Sequence, residues 1–117
     1  MAFVDFKMAP TKDVSSTPVI IFGNDANTCI IDGILLSNKG SNAILVTLQV
    51  SREVETGFET YFTLANNINI NGNSQVDSLN NLTLTLQPGD LLYANSAYSE
   101  DSFDTFVSYR ILTELGG

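Results

Sequence analysis

Residues 44–51 read Ile-Leu-Val-Thr-Leu-Gln-Val-Ser, and residues 81–87 read Asn-Leu-Thr-Leu-Thr-Leu-Gln. In both stretches an apolar side chain returns at every second position, which is the period of a β-strand. One face of each strand then carries a row of apolar residues: Ile44, Val46, Leu48 and Val50 in the first, and Leu82, Leu84 and Leu86 in the second. The two stretches therefore predict strands that turn one face to a core and the other to water.

The rest of the chain carries a similar signal in short segments that are separated by turn residues. Strands are predicted at residues 17–22, 29–36, 43–54, 58–66, 81–86, 91–95 and 104–114. We find no helical periodicity between them. About seven or eight short strands, spaced by turns, predict an all-β protein: an antiparallel β-sandwich with a jelly-roll-like arrangement.

Three local sequences refine this prediction. The nearly continuous apolar run at residues 29–36 favours a strand that is buried on both faces, with a bulge or kink at Asp32 and Gly33. The loop at residues 37–42 is typical of a hairpin that would pair this strand with the next one. Residues 87–90 (Gln-Pro-Gly-Asp) place proline second and glycine third, as in a type II turn.

The chain length of 117 residues and the hydrophobic content of 44% fit one domain with its own core. We predict a short N-terminal arm at residues 1–16 and a single β-sandwich domain at residues 17–117. The arm either adds an edge strand to the domain's own sheet or docks on a neighbouring subunit, because large apolar side chains avoid water. It carries three predicted interface residues: Phe3, Phe6 and Met8.

The charge balance excludes two classes of partner. Thirteen acidic residues against five basic ones give a net charge of -8. Nucleic acid and anionic membrane surfaces both require a basic face, so we predict neither as a partner. No stretch approaches the roughly 18 to 20 apolar residues that span a bilayer, and the N-terminal residues lack the features of a signal peptide. We therefore expect a protein that is made without signal-peptide export.

Residue types that commonly carry catalysis are scarce. Histidine is absent, which removes the most common general base and the most common transition-metal ligand. The single cysteine, Cys29, begins an apolar run and is predicted to be a buried, inert thiol. We therefore predict no enzyme activity, no catalytic residue, no cofactor and no metal site.

Three weaker hypotheses remain beside this one. The acidic loop at residues 100–104 could supply oxygen ligands to calcium, although its spacing does not match an EF-hand and a solvated loop that keeps a sheet edge soluble is the better explanation. A small hydrolase would need a pair of carboxylates, and no feature of the sequence selects one. A carbohydrate-binding module needs only tyrosine, asparagine and aspartate on the rim of a sandwich, although the chain lacks tryptophan.

Three motifs resemble those of small structural proteins of tailed bacteriophages. Residues 31–38 (Ile-Asp-Gly-Ile-Leu-Leu-Ser-Asn) precede an alternating strand, residues 87–92 (Gln-Pro-Gly-Asp-Leu-Leu) form a late turn, and residues 107–109 (Val-Ser-Tyr) belong to the closing strand. The resemblance covers residues 17–113. The matching residues belong to turns and strands, and none of them is catalytic.

The resemblance implies a virion structural protein that is assembled in the host cytoplasm, and first of all a capsid decoration or cement protein. Its implied partners are further copies of itself, with a trimer favoured, and the major capsid protein or another virion protein. Two alternatives stay open: a neck or tail component, and a carbohydrate-binding module that recognises a receptor.

Overall fold

The computed structural model describes the backbone of residues 2–55, 58–80 and 82–114, and the side chains of residues 8–52, 61–80 and 82–112. Nine strands lie in these residues: β1 (Ala2–Val14), β2 (Val19–Gly23), β3 (Thr28–Asn38), β4 (Ile44–Glu55), β5 (Phe58–Ile70), β6 (Ser74–Asp77), β7 (Leu84–Leu86), β8 (Leu91–Ser96) and β9 (Phe103–Glu114). Within the same residues, no helix has the length and apolar character to cross a membrane.

The strands form two antiparallel sheets that pack into a sandwich. The first sheet has the order β1-β9-β3-β6, with β7 also paired to β3, and the second has the order β2-β8-β4-β5. The strands β6 and β7 pair with different parts of β3 and therefore act as two pieces of one edge. Counted in this way, eight strand positions form two four-stranded sheets, in the order of a jelly roll. The structure confirms the predicted all-β sandwich.

The core lies between the two sheets and is built from every second residue of the strands. Ile44, Val46 and Leu48 of β4 are at most 4% exposed, and Val50 packs against the same core. The alternation of residues 44–51 is therefore confirmed. The rest of the core comes from β3 and β9 in the first sheet and from β8 beside β4 in the second. These side chains include Ile31, Ile34, Leu92 and Val107.

β3 is buried on one face only, which corrects the prediction of burial on both faces. Its inward side chains are fully buried, whereas Ile30 and Leu35 are half-buried and do not belong to the core. The predicted bulge is present, because the pairing with β9 shifts its register between Ile31 and Gly33. The extra residue restores the phase of the alternation, so both halves of β3 face the same core.

The predicted hairpin between β3 and β4 is wrong, because the two strands belong to different sheets. The connection crosses from one sheet to the other, and a buried side chain, Asn38, holds it in place. Asn38 is 2% exposed. Its amide nitrogen donates to the main-chain oxygens of Asn42 (2.8 Å), Ile70 (3.2 Å) and Asn71 (3.2 Å), and its Oδ1 accepts from the Gly40 nitrogen (3.0 Å).

The alternation of residues 81–87 only partly forms a strand. β7 begins at Leu84, and Leu86 is 2% exposed, whereas Leu82 is 70% exposed. A turn precedes the strand, in which the Leu82 nitrogen donates to the Leu79 oxygen at 3.0 Å. The turn at residues 87–90 has the predicted type II form, since Gly89 has a φ of 90°.

The N-terminal residues add an edge strand to the domain's own sheet, the first of the two predicted alternatives. β1 pairs with β9 from Ala2 to Val14 and continues through Pro10, with a register shift between Thr11 and Val14. Proline is tolerated there because an edge strand leaves one row of donors unused. Val14, at the end of β1, is 1% exposed and belongs to the core. The division into an arm and a domain at residue 17 stays a prediction.

Replacing Asn38 by alanine tests the crossover. Asn38→Ala removes the hydrogen bonds of a buried amide, among them the one to the buried main-chain oxygen of Ile70, so we expect the free energy of unfolding to fall by about 2 kcal/mol. Urea denaturation of both proteins measures the difference. Asn42→Ala is the matched control, because the exposed Asn42 contributes only its main-chain oxygen to this network. Equal stabilities of Asn38→Ala and the parent would contradict the assignment.

Candidate functional site

The outer face of the first sheet carries apolar side chains that do not contribute to the core. Four of them are half-buried, and the fifth, Met8, is 61% exposed. We call this cluster the outer apolar patch: Met8, Ile30, Leu35, Phe106 and Leu112. A contiguous apolar surface of this kind on a sheet marks a site of interaction with another molecule.

The register of the strands brings the members of the patch together. Leu35 on β3 lies directly opposite Phe106 on β9, and Phe106 lies opposite Pro10 on β1. Directly opposite side chains on one face of an antiparallel pair have Cβ atoms about 4.5–5.5 Å apart, within contact distance. The row therefore extends an apolar surface across three adjacent strands.

An ion pair lies within the patch. Arg110 on β9 binds Asp32 through two nitrogens, with Nε at 2.9 Å from Oδ2 and Nη2 at 2.8 Å from Oδ1. The two side chains are 27% and 31% exposed. Asp32 sits at the bulge of β3, which sequence analysis located without assigning this role. The two charges of this pair cancel, whereas Asp77, which is exposed and lies opposite Leu35 on β6, adds a carboxylate to the same face.

Of the three predicted interface residues, only Met8 has a described side chain, and it lies on the patch. Phe3 and Phe6 are paired in the backbone with Thr113 and Arg110. Their side chains lie outside the described residues, so their interface role stays a prediction. Sequence analysis missed the other members of the patch. The signal for Ile30 and Leu35 was the continuous apolar run at residues 29–36, which we had assigned to a strand buried on both faces.

The acidic loop at residues 100–104 is placed beside the crossover loop. Glu100 and Asp101 line a polar cleft of about 260 Å³ together with residues of the segment 38–44. Asp104 instead contacts Lys39 (3.3 Å) and accepts a hydrogen bond from the Asp13 nitrogen (2.9 Å). Within the described residues no three potential ligands of the His, Cys, Asp and Glu types come together. The structure thus gathers no cluster of metal ligands around this loop.

Lys39 links the end of β1 to the start of β9. Its Nζ lies 2.9 Å from Oδ1 of Asp13 as well as near Asp104. The hydrogen bond from Lys39 lowers the pKa of the Asp13 carboxyl, and the two carboxylates raise the pKa of Lys39. Since both Asp13 and Lys39 are well exposed, this contact orients the strand ends and contributes little stability.

Two further sequence features have structural roles. Cys29 is fully buried, as predicted, and burial raises the pKa of its thiol. In the turn at residues 24–27, Oδ1 of Asn24 accepts hydrogen bonds from the nitrogens of Ala26 and Asn27, both at 2.9 Å. Both features are explained by packing and turn formation alone.

An apolar cleft of about 290 Å³ opens between β5 and β7, where the edges of the two sheets diverge. Its walls are mainly Val50, Phe62, Leu64 and Leu84, and Arg52 also lines it.

Arg52 forms an ion pair with Asp90, with Nε at 2.9 Å from Oδ1 and Nη2 at 2.6 Å from Oδ2. The guanidinium beside Asp90 lowers the pKa of that buried carboxyl, and the Gln87 nitrogen lowers it further. The pair connects the type II turn to β4.

No protein-family model matches the chain, and no curated protein matches it. By structure it is similar to a protein of the Bacillus endospore appendages, which form a family of disulfide-linked pili, with 14% identity and a TM-score of 0.57 over 98% of this chain and 89% of that chain. It is also similar to the xylan-binding CBM22-1 domain of Paenibacillus barcinonensis Xyn10C, with 13% identity and a TM-score of 0.52 over 97% of this chain and 83% of that chain.

A third similarity is to a pentameric capsid protein from metagenomic phage sequences, with 22% identity and a TM-score of 0.45 over 89% of this chain and 59% of that chain. That TM-score is too low to carry an argument. At these identities the first two similarities show the fold alone, and they agree with the jelly-roll sandwich described above.

Asp90→Asn tests the contribution of the pair between Arg52 and Asp90. A carboxyl whose folded pKa lies below its usual value of 3.8 stabilises the fold above that pH, and the stabilisation is lost as the pH falls through the folded pKa. We expect the variant to lose about 1–2 kcal/mol at neutral pH, a value reduced because Arg52 is partly exposed.

The pH dependence provides the sharper readout. Below pH 3.8 the stability of the parent should fall more steeply with decreasing pH than that of Asp90→Asn, as measured by denaturation at a series of pH values. Asp25→Asn, which removes a carboxylate from an exposed turn, serves as the control. Parallel stability curves for the parent and Asp90→Asn would refute the role of the pair.

Proposed function

We propose that this chain is a non-enzymatic structural protein of a virion surface, and first of all a capsid decoration or cement protein. The observation that carries this proposal is the outer apolar patch with its internal ion pair, Asp32 and Arg110. A sheet face of this composition is suited to contact with another protein, because it offers apolar surface around the paired charges of Asp32 and Arg110, while the carboxylate of Asp77 lies exposed in the same row.

The first partner we propose is a second copy of the chain. Copies with a net charge of -8 repel one another at long range, so self-association needs a region where charge is balanced. The patch meets this need in part, since Asp32 and Arg110 neutralise each other and Asp77 adds one exposed carboxylate. Closed symmetry with three copies is the favoured arrangement, and the major capsid protein or another virion protein is the proposed second partner.

The jelly-roll fold is compatible with a protein that assembles in many copies. The proteins of the Bacillus endospore appendages, which share the fold, form disulfide-linked pili and so assemble in many copies. A covalent linkage of that kind is not available to Cys29 here, because the thiol is fully buried in the core. Assembly of this chain would rest on non-covalent contacts.

Replacing Leu35 and Phe106, which lie opposite each other in the outer apolar patch, tests self-association. The double variant Leu35→Thr with Phe106→Thr removes apolar surface and keeps β-branched residues that favour strands. We expect the parent to be oligomeric and the double variant to be monomeric, as measured by size-exclusion chromatography with light scattering. Ile20→Thr is the control, since this exposed side chain lies on the second sheet. A monomeric parent at high concentration would refute the proposed self-association.

The copy number on purified particles tests the virion role and separates it from the alternative of a neck or tail component. A decoration or cement protein should be present at close to the copy number of the major capsid protein, because it covers the lattice. A neck or tail component should be present at a few dozen copies or fewer. Quantitative mass spectrometry measures the ratio, and absence from particles would contradict both roles.

A further inference from the structure

We propose that the outer face of the second sheet binds a neutral polysaccharide. This inference goes beyond the proposed structural role, and it concerns the sheet opposite the outer apolar patch. The described side chains on this face come from all four strands of the second sheet. We call them the tyrosine face: Ile20, Leu45, Thr47, Gln49, Ser51, Tyr61, Thr63, Asn66, Asn69, Leu91, Tyr93 and Asn95.

None of these twelve side chains is charged, in a chain with thirteen acidic and five basic residues. The strand pairing continues beyond them to Glu53 on β4 and Glu59 on β5. Hydroxyl and carboxamide groups supply the polarity of the twelve described side chains, which hydrate well without carrying charge. Among ligands, this set of side chains matches a molecule whose own polarity comes from hydroxyl groups, and it offers no counter-charge to nucleic acid or to an acidic peptide.

Two aromatic rings lie side by side on the tyrosine face. The rings of Tyr61 on β5 and Tyr93 on β8 have centroids 5.7 Å apart and an interplanar angle of 59°. They reach towards each other across β4, where Ser51 is only 1% exposed because larger side chains surround it. Tyr61 itself is 54% exposed. The tilted pair therefore places the half-exposed ring of Tyr61 beside the ring of Tyr93, a shape against which the C–H face of a sugar ring can stack.

Amide groups lie next to these rings. Gln49 sits on β4 directly opposite Tyr93, and its carboxamide has no hydrogen-bond partner among the described residues. The Thr47 hydroxyl donates to Oδ1 of Asn66 at 2.9 Å, which fixes that amide and leaves its nitrogen available as a donor. Sugar hydroxyls both donate and accept hydrogen bonds, so they match these groups in both directions.

The face extends over several strands, and this favours a chain of sugars over a single one. Neighbouring strands are about 4.8 Å apart, so the rings on β5 and β8 belong to strands roughly 10 Å apart. Stacking on Tyr61 with hydrogen bonds to Gln49 and Asn66 would engage adjacent residues of a polysaccharide. Because the outer apolar patch lies on the other sheet, a copy assembled through that patch would leave the tyrosine face open.

Affinity gel electrophoresis of the full chain tests the inference. The protein is run under native conditions through gels that contain a soluble neutral polysaccharide, namely a β-glucan, a galactomannan or a dextran. We expect retardation by at least one of them, and no retardation by the acidic polymers polygalacturonate and alginate. Tyr61→Ala should weaken binding about tenfold, the effect of losing one aromatic stacking contact. Gln49→Ala should weaken it as well.

Tyr98→Ala is the matched control, since Tyr98 is 60% exposed on the β8–β9 loop, away from the tyrosine face, and should leave binding unchanged. Circular dichroism confirms that each variant is folded, and light scattering should give Tyr61→Ala the same oligomeric state as the parent. Three results would overturn the inference: no retardation by any neutral polymer, retardation by acidic polymers only, or equal loss in the Tyr61 and Tyr98 variants.

Discussion

The phase of the side-chain alternation along β3 is the constraint on which the rest of the structure depends. β3 pairs with β9, β6 and β7 and supplies the core residues Ile31 and Ile34 on either side of Asp32 and Gly33. Without the bulge, the second half of the strand would turn its core residues to the outer face, because a shift of one residue exchanges the two faces. The bulge also brings the Asp32 carboxylate to 2.8 Å from the Arg110 guanidinium, so one irregularity serves both the core and the outer surface.

The two outer faces of the sandwich differ in chemistry although both are exposed. The first sheet presents aliphatic and aromatic side chains around a neutralised ion pair, whereas the described side chains of the second are tyrosine, hydroxyl, amide and aliphatic groups without charge. Among the described residues, further charges lie at the strand ends joined by Lys39 and at the loop of residues 100–104. This separation allows each face to serve a different kind of contact.

The jelly-roll fold by itself does not choose between these uses. It is shared with a pilus-forming appendage protein and with a xylan-binding domain, both at identities that reveal nothing beyond the fold. A sandwich of two sheets is stable once its inner faces are apolar, so its outer faces are free to vary. The function of this chain must therefore be inferred from its outer side chains, and those are the residues on which the two proposals rest.

Sequence alone determined most of the strands, although not β6, and also the bulge, the type II turn and the inward row of β4, because each depends on residues close together in the chain. Only the tertiary structure decided that β3 and β4 lie in different sheets. A crossover loop and a hairpin loop use the same turn residues, and the crossover depends on the hydrogen bond from Asn38 to the distant Ile70. The sequence did not reveal the composition of the two outer faces either. Leu35 contacts Phe106, and Tyr61 contacts Tyr93, although the members of each pair are far apart in the chain and become neighbours only through strand pairing. Local periodicity shows that a side chain points away from the core, but the order of strands in the sheet determines which side chains it contacts there.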